Sequence, residues 1–278
     1  MSSSTERIAL VTGAAQGIGK SIALRLAADG LHVALADLPR AQDALESVAK
    51  EVEATTGRRT HVVTGDVSNE EDVERMVRET VERLGSLDVM IANAGVIRAG
   101  TVTESRDYTS GDHATIENWT TDMNVNATGT FLCFKHAGRQ MIAQGRGGRM
   151  VAASSVAGKK GHPNQVAYCA AKFAVRAIMQ CAAIELGQHG ITVNAYAPGA
   201  IVTPMLQGLR ELNDARTAAV GQQNFFGGDY YKVMADRAAV QKLGSADDVA
   251  SIVSYLVKPE AHFITGQTIS VDGGVWLS

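Results

Sequence analysis

Apolar positions along the chain fall into two kinds of pattern. Seven short runs are apolar almost throughout: Ile8–Val11, His32–Ala36, His61–Thr64, Asp88–Ala92, Arg149–Ala153, Ile191–Ala197 and Thr268–Val271. Runs without in/out alternation are what strands covered on both faces require. Between them apolar residues recur every three or four positions, as in Ile18, Ile22 and Leu26, in Val48 and Val52, and in Val73, Val77, Val81 and Leu84. That spacing places one apolar stripe on a helix. Strand–helix alternation repeated about seven times predicts an α/β fold: a seven-stranded, mostly parallel, doubly wound sheet of Rossmann type with helices on both faces. Proline is rare, at five residues, and no linker, repeat or low-complexity stretch interrupts the alternation. A single domain over residues 1–278 is expected.

Two segments depart from this rhythm. Residues 98–116 are polar and turn-rich, and read as a surface excursion after a strand. Residues 203–240 combine helical pieces with internal glycines and the aromatics Phe225, Phe226, Tyr230 and Tyr231. Long irregular stretches in a compact domain are often functional. The first equally suits a tolerated surface insertion, because lengthening a loop costs little entropy.

Composition narrows the possible functions. The 278 residues are 45% hydrophobic and 20% charged, with a formal net charge of −3. That balance offers no basis for gripping a nucleic-acid backbone. No uninterrupted apolar run approaches the roughly 18–20 residues a bilayer span needs. The opening Met1–Arg7 stretch is polar, with no secretory apolar core behind it. Cys133, Cys169 and Cys181 are an odd set without disulfide or metal spacing, so a reduced, cytoplasmic compartment is expected. Cys133 and His136 share helical spacing, but no second ligand pair accompanies them, and no metal is expected.

The first strand runs into Thr12-Gly13-Ala14-Ala15-Gln16-Gly17-Ile18-Gly19 and then into the first helical stripe. Glycines at such positions permit a tight turn, close approach of a pyrophosphate and close helix–strand packing. The helix N-terminus offers unpaired N–H groups to phosphate oxygens. Asp37 ends the second strand, 18 residues beyond Gly19. A carboxylate there can bond the adenosine ribose hydroxyls and would repel a 2′-phosphate, which selects NAD over NADP. Gln16 adds no positive charge to offset that repulsion; Arg40 reads as a solvated helix start.

Tyr168 and Lys172 stand four residues apart within the helix-forming stretch Val166–Leu186 and so share one face. A phenol is a poor proton carrier at neutral pH, and an ammonium one turn away stabilises its phenolate. Ser155 ends the fifth strand, 13 residues before Tyr168. Parallel sheets place their crevice at such carboxyl ends. No Gly-x-Ser-x-Gly elbow is present, which removes an α/β-hydrolase reading.

Taken together, Thr12–Gly19, Asp66-Val67, Asn93-Ala-Gly95, Asn126-Ala-Thr-Gly129, Ser155, Tyr168-Cys-Ala-Ala-Lys172 and Pro198-Gly199 with Thr203 resemble the short-chain dehydrogenase/reductase family over nearly the whole chain. The resemblance implies that Tyr168 is the general acid or base and that Lys172 lowers its pKa and bonds the nicotinamide ribose. It implies that Ser155 holds the substrate oxygen and that Asn126 holds a water leading from Lys172 to solvent. It places Gly13, Gln16, Gly17, Ile18, Gly19, Asp37, Asp66, Val67, Asn93, Tyr168, Lys172, Pro198, Gly199 and Thr203 around an NAD cofactor. Asp66 and Val67 would flank the adenine, and Thr203 would hold the carboxamide. Read from the residues alone, Asn126 could instead tie a helix bend, and Asp66 could be a turn residue.

Segments around Gln16, around Tyr168 and from Ile191 to Met205 are similar to NAD-dependent diacetyl/acetoin reductases, which act on a small α-hydroxyketone or vicinal diol. The substrate would contact Ser155, Val156, Tyr168 and Met205. Val156 stands where that subgroup often has a glutamine holding the diol, and with the longer 98–116 segment it leaves room for a polyol or a larger cyclic alcohol. A catalytically silent NAD-binding sensor is the remaining alternative. Residues 203–240 are expected to form a substrate lid that excludes water. The partners implied are a small ketone or alcohol and further copies of the chain, in a homotetramer or homodimer.

Overall fold

A computed structural model of the protein describes residues 6–103, 114–220 and 229–277, with the side chains of 216–220 left aside. Phe225, Phe226 and the centre of the 98–116 segment lie outside these residues.

Seven strands form one sheet in the order β3-β2-β1-β4-β5-β6-β7. They are β1 (Ile8–Thr12), β2 (His32–Asp37), β3 (Thr60–Thr64), β4 (Val89–Ala92), β5 (Gly148–Ala153), β6 (Ile191–Pro198) and β7 (Thr268–Val271). All six pairings are parallel. The alternating pleat divides the core. Ile8, Leu10 and Met90 face one layer, built on α3 (Glu70–Leu84), α5 (Gly129–Gln144) and α6 (Val166–Leu186). Ala9, Val11 and Ile91 face the other, built on α1 (Gly17–Ala28), α2 (Gln42–Thr56) and α9 (Ala246–Leu256). This is the Rossmann-type α/β domain that the apolar runs predict. The order reverses between β1 and β4, which opens a crevice at the carboxyl ends of those strands.

Two boundaries differ from expectation for local reasons. Asp88 does not join β4. Its carboxylate accepts from the Ile8 N–H at 2.9 Å and from the Ser86 hydroxyl at 2.9 Å, and pairs with Arg146 at 2.7 Å. Ser155 lies two residues past the end of β5, extended, where its hydroxyl accepts from the Ala157 N–H at 3.1 Å and caps a short turn.

Residues Val166–His189 are, among those described, the one helical stretch long and apolar enough by mean hydropathy to cross a membrane. The stretch is interrupted by Lys172, Arg176 and Glu185, and its inner face is spent on the sheet through Val175, Met179 and Ala183.

Between α4 (Ile116–Asp122) and α5 the helix widens into a π-turn, Met123–Thr128. The 98–116 segment is pinned at its base: Gly100 bridges Gln165, and the Ala114 N–H donates to Thr101 O at 2.9 Å. Residues 203–240 contain α7 (Pro204–Val220) and α8 (Tyr230–Asp236), which meet where the Arg210 guanidinium lies 4.8 Å from the centre of the Tyr231 ring.

Candidate active site

The carboxyl ends of β1, β4, β5 and β6 border the crevice, with a residue singled out above at each end or within two residues beyond it. At β1 the chain turns through Gly13 (φ 67°) and Gly17 (φ 55°) into α1. A Cβ on Gly19 would lie 2.0 Å from Gly13 O, so only glycine lets the helix come this close. No side chain caps α1 and its first turn carries no carboxylate, which leaves its leading N–H groups free for an anion. That uncapped terminus, beside the two left-handed glycines, fits a dinucleotide pyrophosphate. Gln16 is exposed at the N-cap, while Ile18 packs into the core beneath. Thr203 closes the opposite wall: its methyl lies 3.5 Å from where a Gly17 Cβ would stand.

Asp37 ends β2 as expected, and its carboxylate already accepts from the Ala15 N–H at 3.1 Å and the Leu38 N–H at 2.8 Å. It therefore fixes the glycine loop while retaining lone pairs for further donors. Asp66 accepts from the N–H and hydroxyl of Ser68 at 2.9 and 2.8 Å, the turn arrangement left open above. Val67 is buried against α5, where a Cβ on Gly129 would reach its side chain at 2.9 Å. Pro198 closes β6, and the Gly199 N–H donates to Val271 O at 3.1 Å.

Asn93 is a brace. Its amide donates to Thr12 O at 2.9 Å and Gly13 O at 3.2 Å, and its carbonyl accepts from the buried Tyr196 hydroxyl at 2.8 Å. Thr12, which carried no separate role in the sequence reading, completes this brace by accepting from the N–H groups of Asn93 and Ala94, both at 3.1 Å.

Ser155, Tyr168, Lys172 and Asn126 are all buried. Gly95 lies between two of them: a Cβ there would be 2.7 Å from Asn126 Oδ1 and 3.3 Å from Lys172 Nζ. Lys172 donates to Ala153 O at 2.8 Å, and its Nζ stands 5.6 Å from the centre of the Tyr168 ring. Asn126 ties the π-turn to the segment after β4: Nδ2 donates to Val96 O and Asp122 O, both at 2.9 Å, and Oδ1 accepts from the Val96 N–H at 3.2 Å. Of the two readings of Asn126, the structure shows the helix tie, and the side chain that makes it borders the lysine across Gly95. Turns of the π kind recur at functional sites.

The electrostatics depart from the simple expectation. Burial pushes the Tyr168 phenol up to about 12; hydrogen bonding with Ser155 opposes this, and the negative charge of Asp122 reinforces it. Burial pushes the Lys172 ammonium down to about 8, against the pull of Asp122. Burial thus sets the phenol, and at neutral pH Tyr168 carries its proton and holds it more tightly than a free phenol does. Asp122 itself was missed in the sequence. It is fully buried, and burial raises its carboxyl to about 6. The available signal was an acid one helical turn before Asn126.

The crevice is less enclosed toward α7. Val156 is half-buried beside Ser155, Met205 is exposed at the start of α7, and Leu206 and Tyr230 are buried.

Comparison with known proteins agrees with this geometry. Residues 13–276 match a family described as Enoyl-(Acyl carrier protein) reductase. The chain is 44% identical to the short-chain dehydrogenase/reductase eriH of Hericium erinaceus, over 98% of both chains. It is 35% identical to the 3-oxoacyl-(acyl-carrier-protein) reductase FabG of Staphylococcus aureus strain Mu50, covering 97% of this chain and 98% of that one. The crystal structure of acetoin dehydrogenase YohF from Salmonella typhimurium superposes with a TM-score of 0.80 at 31% identity, covering 98% of this chain and 96% of that one. The chain belongs to the short-chain dehydrogenase/reductase family, and is an oxidoreductase of the class that acts on secondary alcohols and ketones with a nicotinamide dinucleotide.

Proposed function

We propose that the protein is an NAD(H)-dependent oxidoreductase interconverting a ketone and a secondary alcohol, with a small α-hydroxyketone or vicinal diol of the acetoin type as substrate. The observation that carries the reaction is the buried cluster of Ser155, Tyr168 and Lys172 beside β5. The choice of NAD rests on Asp37 at the tip of β2, with no cation in the glycine loop to receive a 2′-phosphate. The substrate class draws on the likeness to acetoin dehydrogenase YohF.

In the reducing direction Ser155 donates a hydrogen bond to the carbonyl oxygen, polarising it and fixing its position. Tyr168 then delivers its proton from Oη to that oxygen, and in oxidation takes it back from the alcohol. Lys172 supports the phenolate left behind and holds the nicotinamide ribose. Asn126 keeps a water path from Lys172 to solvent. Gly13, Gln16, Gly17, Ile18 and Gly19 form the pyrophosphate cradle. Asp66 and Val67 border the adenine, Asn93 lines the cofactor cleft, and Pro198, Gly199 and Thr203 border the nicotinamide side. The nicotinamide, when bound, supplies or accepts the hydride.

Val156 and Met205 line the substrate mouth, and residues 203–240 act as its lid. A second reading, a bulkier cyclic alcohol or a polyol, is favoured by apolar Val156 next to Ser155 and by the 98–116 segment, whose base is anchored through Gly100 to Gln165 just before α6. Exposed Phe131 and Phe173 on α5 and α6 support a homo-oligomer, and three free cysteines fit a reducing, cytoplasmic compartment.

Consumption of NADH and NADPH is followed with diacetyl, acetoin, a ketose, a cyclic ketone and an acetoacetyl thioester. NADH oxidation with diacetyl or acetoin is expected. Turnover of only the cyclic ketone or ketose moves the protein to the second reading. Preference for NADPH, or for the thioester, overturns the reading of Asp37 and of the substrate. Tyr168→Phe is expected to keep NADH binding and to lose about a hundredfold or more in kcat; unchanged turnover sinks the assignment of the acid.

A further inference from the structure

We propose that Asp122 is a positioning residue whose buried charge, balanced by Arg98, modulates proton exchange at Tyr168 and Lys172 and straps the chain leaving β4, at Arg98, to the active site. This rests on Tyr168 being the acid–base group of the reaction proposed above.

Asp122 ends α4, just where the helix widens into the π-turn. Its side chain is wholly buried, an environment an ionised carboxylate enters only with compensation. Oδ2 accepts from the Arg98 N–H at 3.2 Å, and Oδ1 has no hydrogen-bond partner and faces the Arg98 guanidinium at 3.7 Å. Its backbone carbonyl accepts from Asn126 Nδ2 at 2.9 Å. The carboxylate and the Asn126 amide together hold alternate residues, Arg98 and Val96, of the segment leaving β4.

The charged and titratable groups that face Asp122 come from two neighbours. Arg98 lies on the segment after β4, and Tyr168 and Lys172 lie on α6. An ionised Asp122 opposes loss of the Tyr168 proton and favours the charged lysine. Neutralising it makes Tyr168 the stronger acid. Burial raises the Asp122 carboxyl to about 6, with the Arg98 charge pulling it back. Its own protonation therefore falls in an experimentally accessible range, far from that of the phenol. The strap adds a mechanical side. Arg98 opens the 98–116 segment, so a change in the charge of Asp122 is felt at the base of that segment and at the proton donor together.

The experiment follows the Cζ resonance of Tyr168 in full-length protein labelled with 13C-tyrosine, assigned by its loss in Tyr168→Phe. The wild-type resonance is expected to move through an inflection near pH 6 that is absent in Asp122→Asn. Arg98→Gln is expected to displace the inflection to higher pH, because the cation holding the carboxyl down is gone. The pH profile of kcat/KM for reduction should show the same inflection and the same two changes. A wild-type resonance that is flat through the mildly acidic range overturns the proposal, as does an inflection that survives Asp122→Asn. Should Asp122→Asn not fold, an unmoved inflection in Arg98→Gln overturns it alone. The resonance reads the coupling without turnover, so a failed proposal is distinguishable from a wrong assignment of Tyr168, which Tyr168→Phe kinetics decide.

Discussion

Burial of Asp122 gives folding stability a pH dependence of a definite sign. Its carboxyl is raised from 3.8 to about 6, so between those values the folded chain binds more proton than the unfolded chain. Stability from this group is therefore fully present below pH 3.8 and is lost as pH rises through about 6. Asp122→Asn removes the dependence. The free energy of unfolding of wild type relative to the variant, from urea melts at a series of pH values, is expected to fall by about 3 kcal/mol across that window. A difference that is flat or rises with pH contradicts the burial of a carboxylate in this environment. Other residues at this scale were legible because their chemistry is tied to spacing: Tyr168 and Lys172 one turn apart, and Asp37 at a strand end. Asp122 was not, because its importance comes from what folding brings to it. Arg98 is 24 residues away and Tyr168 is 46. The same holds for Asn93, whose partner Tyr196 lies 103 residues on.

Helix α6 carries Tyr168 and Lys172, so in the proposed reaction its distance from the turn after β5 sets the geometry. Gly158 makes that distance possible. A Cβ there would stand 2.4 Å from Ser154 Oγ and 2.6 Å from Lys172 O. Two further bonds close the same joint: Ser154 Oγ donates to Lys172 O at 3.2 Å, and Arg176 donates to Gly158 O at 2.9 Å. Gly158→Ala must push α6 outward and carry Tyr168 away from Ser155. Because positioning errors of an ångström cost about a hundredfold, kcat is expected to fall by that order while the affinity for NADH, set largely at the glycine loop, changes little. Stopped-flow binding and steady-state turnover separate the two; equal losses in both would place the effect in the fold and not in the joint. All seven strands were legible as apolar runs, the inner β1, β2, β4 and β6 because a strand buried on both faces has few ways to be written, while β3 and β7 at the edges are only half-buried. The π-turn was not. It arises where Asn126 pulls the helix onto Val96, and a run such as Met123–Thr128 has no periodicity that announces an extra residue in a turn.

At the scale of the molecule, the sheet is covered on both sides, yet apolar surface remains on the outer faces of α5 and α6. Phe131 and Ile142 on α5, and Phe173 and Ile184 on α6, are all exposed. On α6 these residues lie opposite the side that presents Tyr168 and Lys172 to the crevice and Val175 and Met179 to the sheet. Two adjacent helices with large apolar side chains facing outward form a surface that a second copy of the chain can cover, as a symmetric contact would. Such a contact would bear on the helix that carries Tyr168 and Lys172, and would so couple assembly to the geometry of the proposed site. The protein is therefore expected to run in light-scattering chromatography as a dimer or tetramer of the 29.3 kDa chain. Phe131→Glu combined with Phe173→Glu is expected to shift it toward the monomer and to lower kcat before it lowers NADH affinity. A wild-type protein that stays monomeric at micromolar concentration rules this surface out as an interface. A double variant that remains assembled places the contact elsewhere.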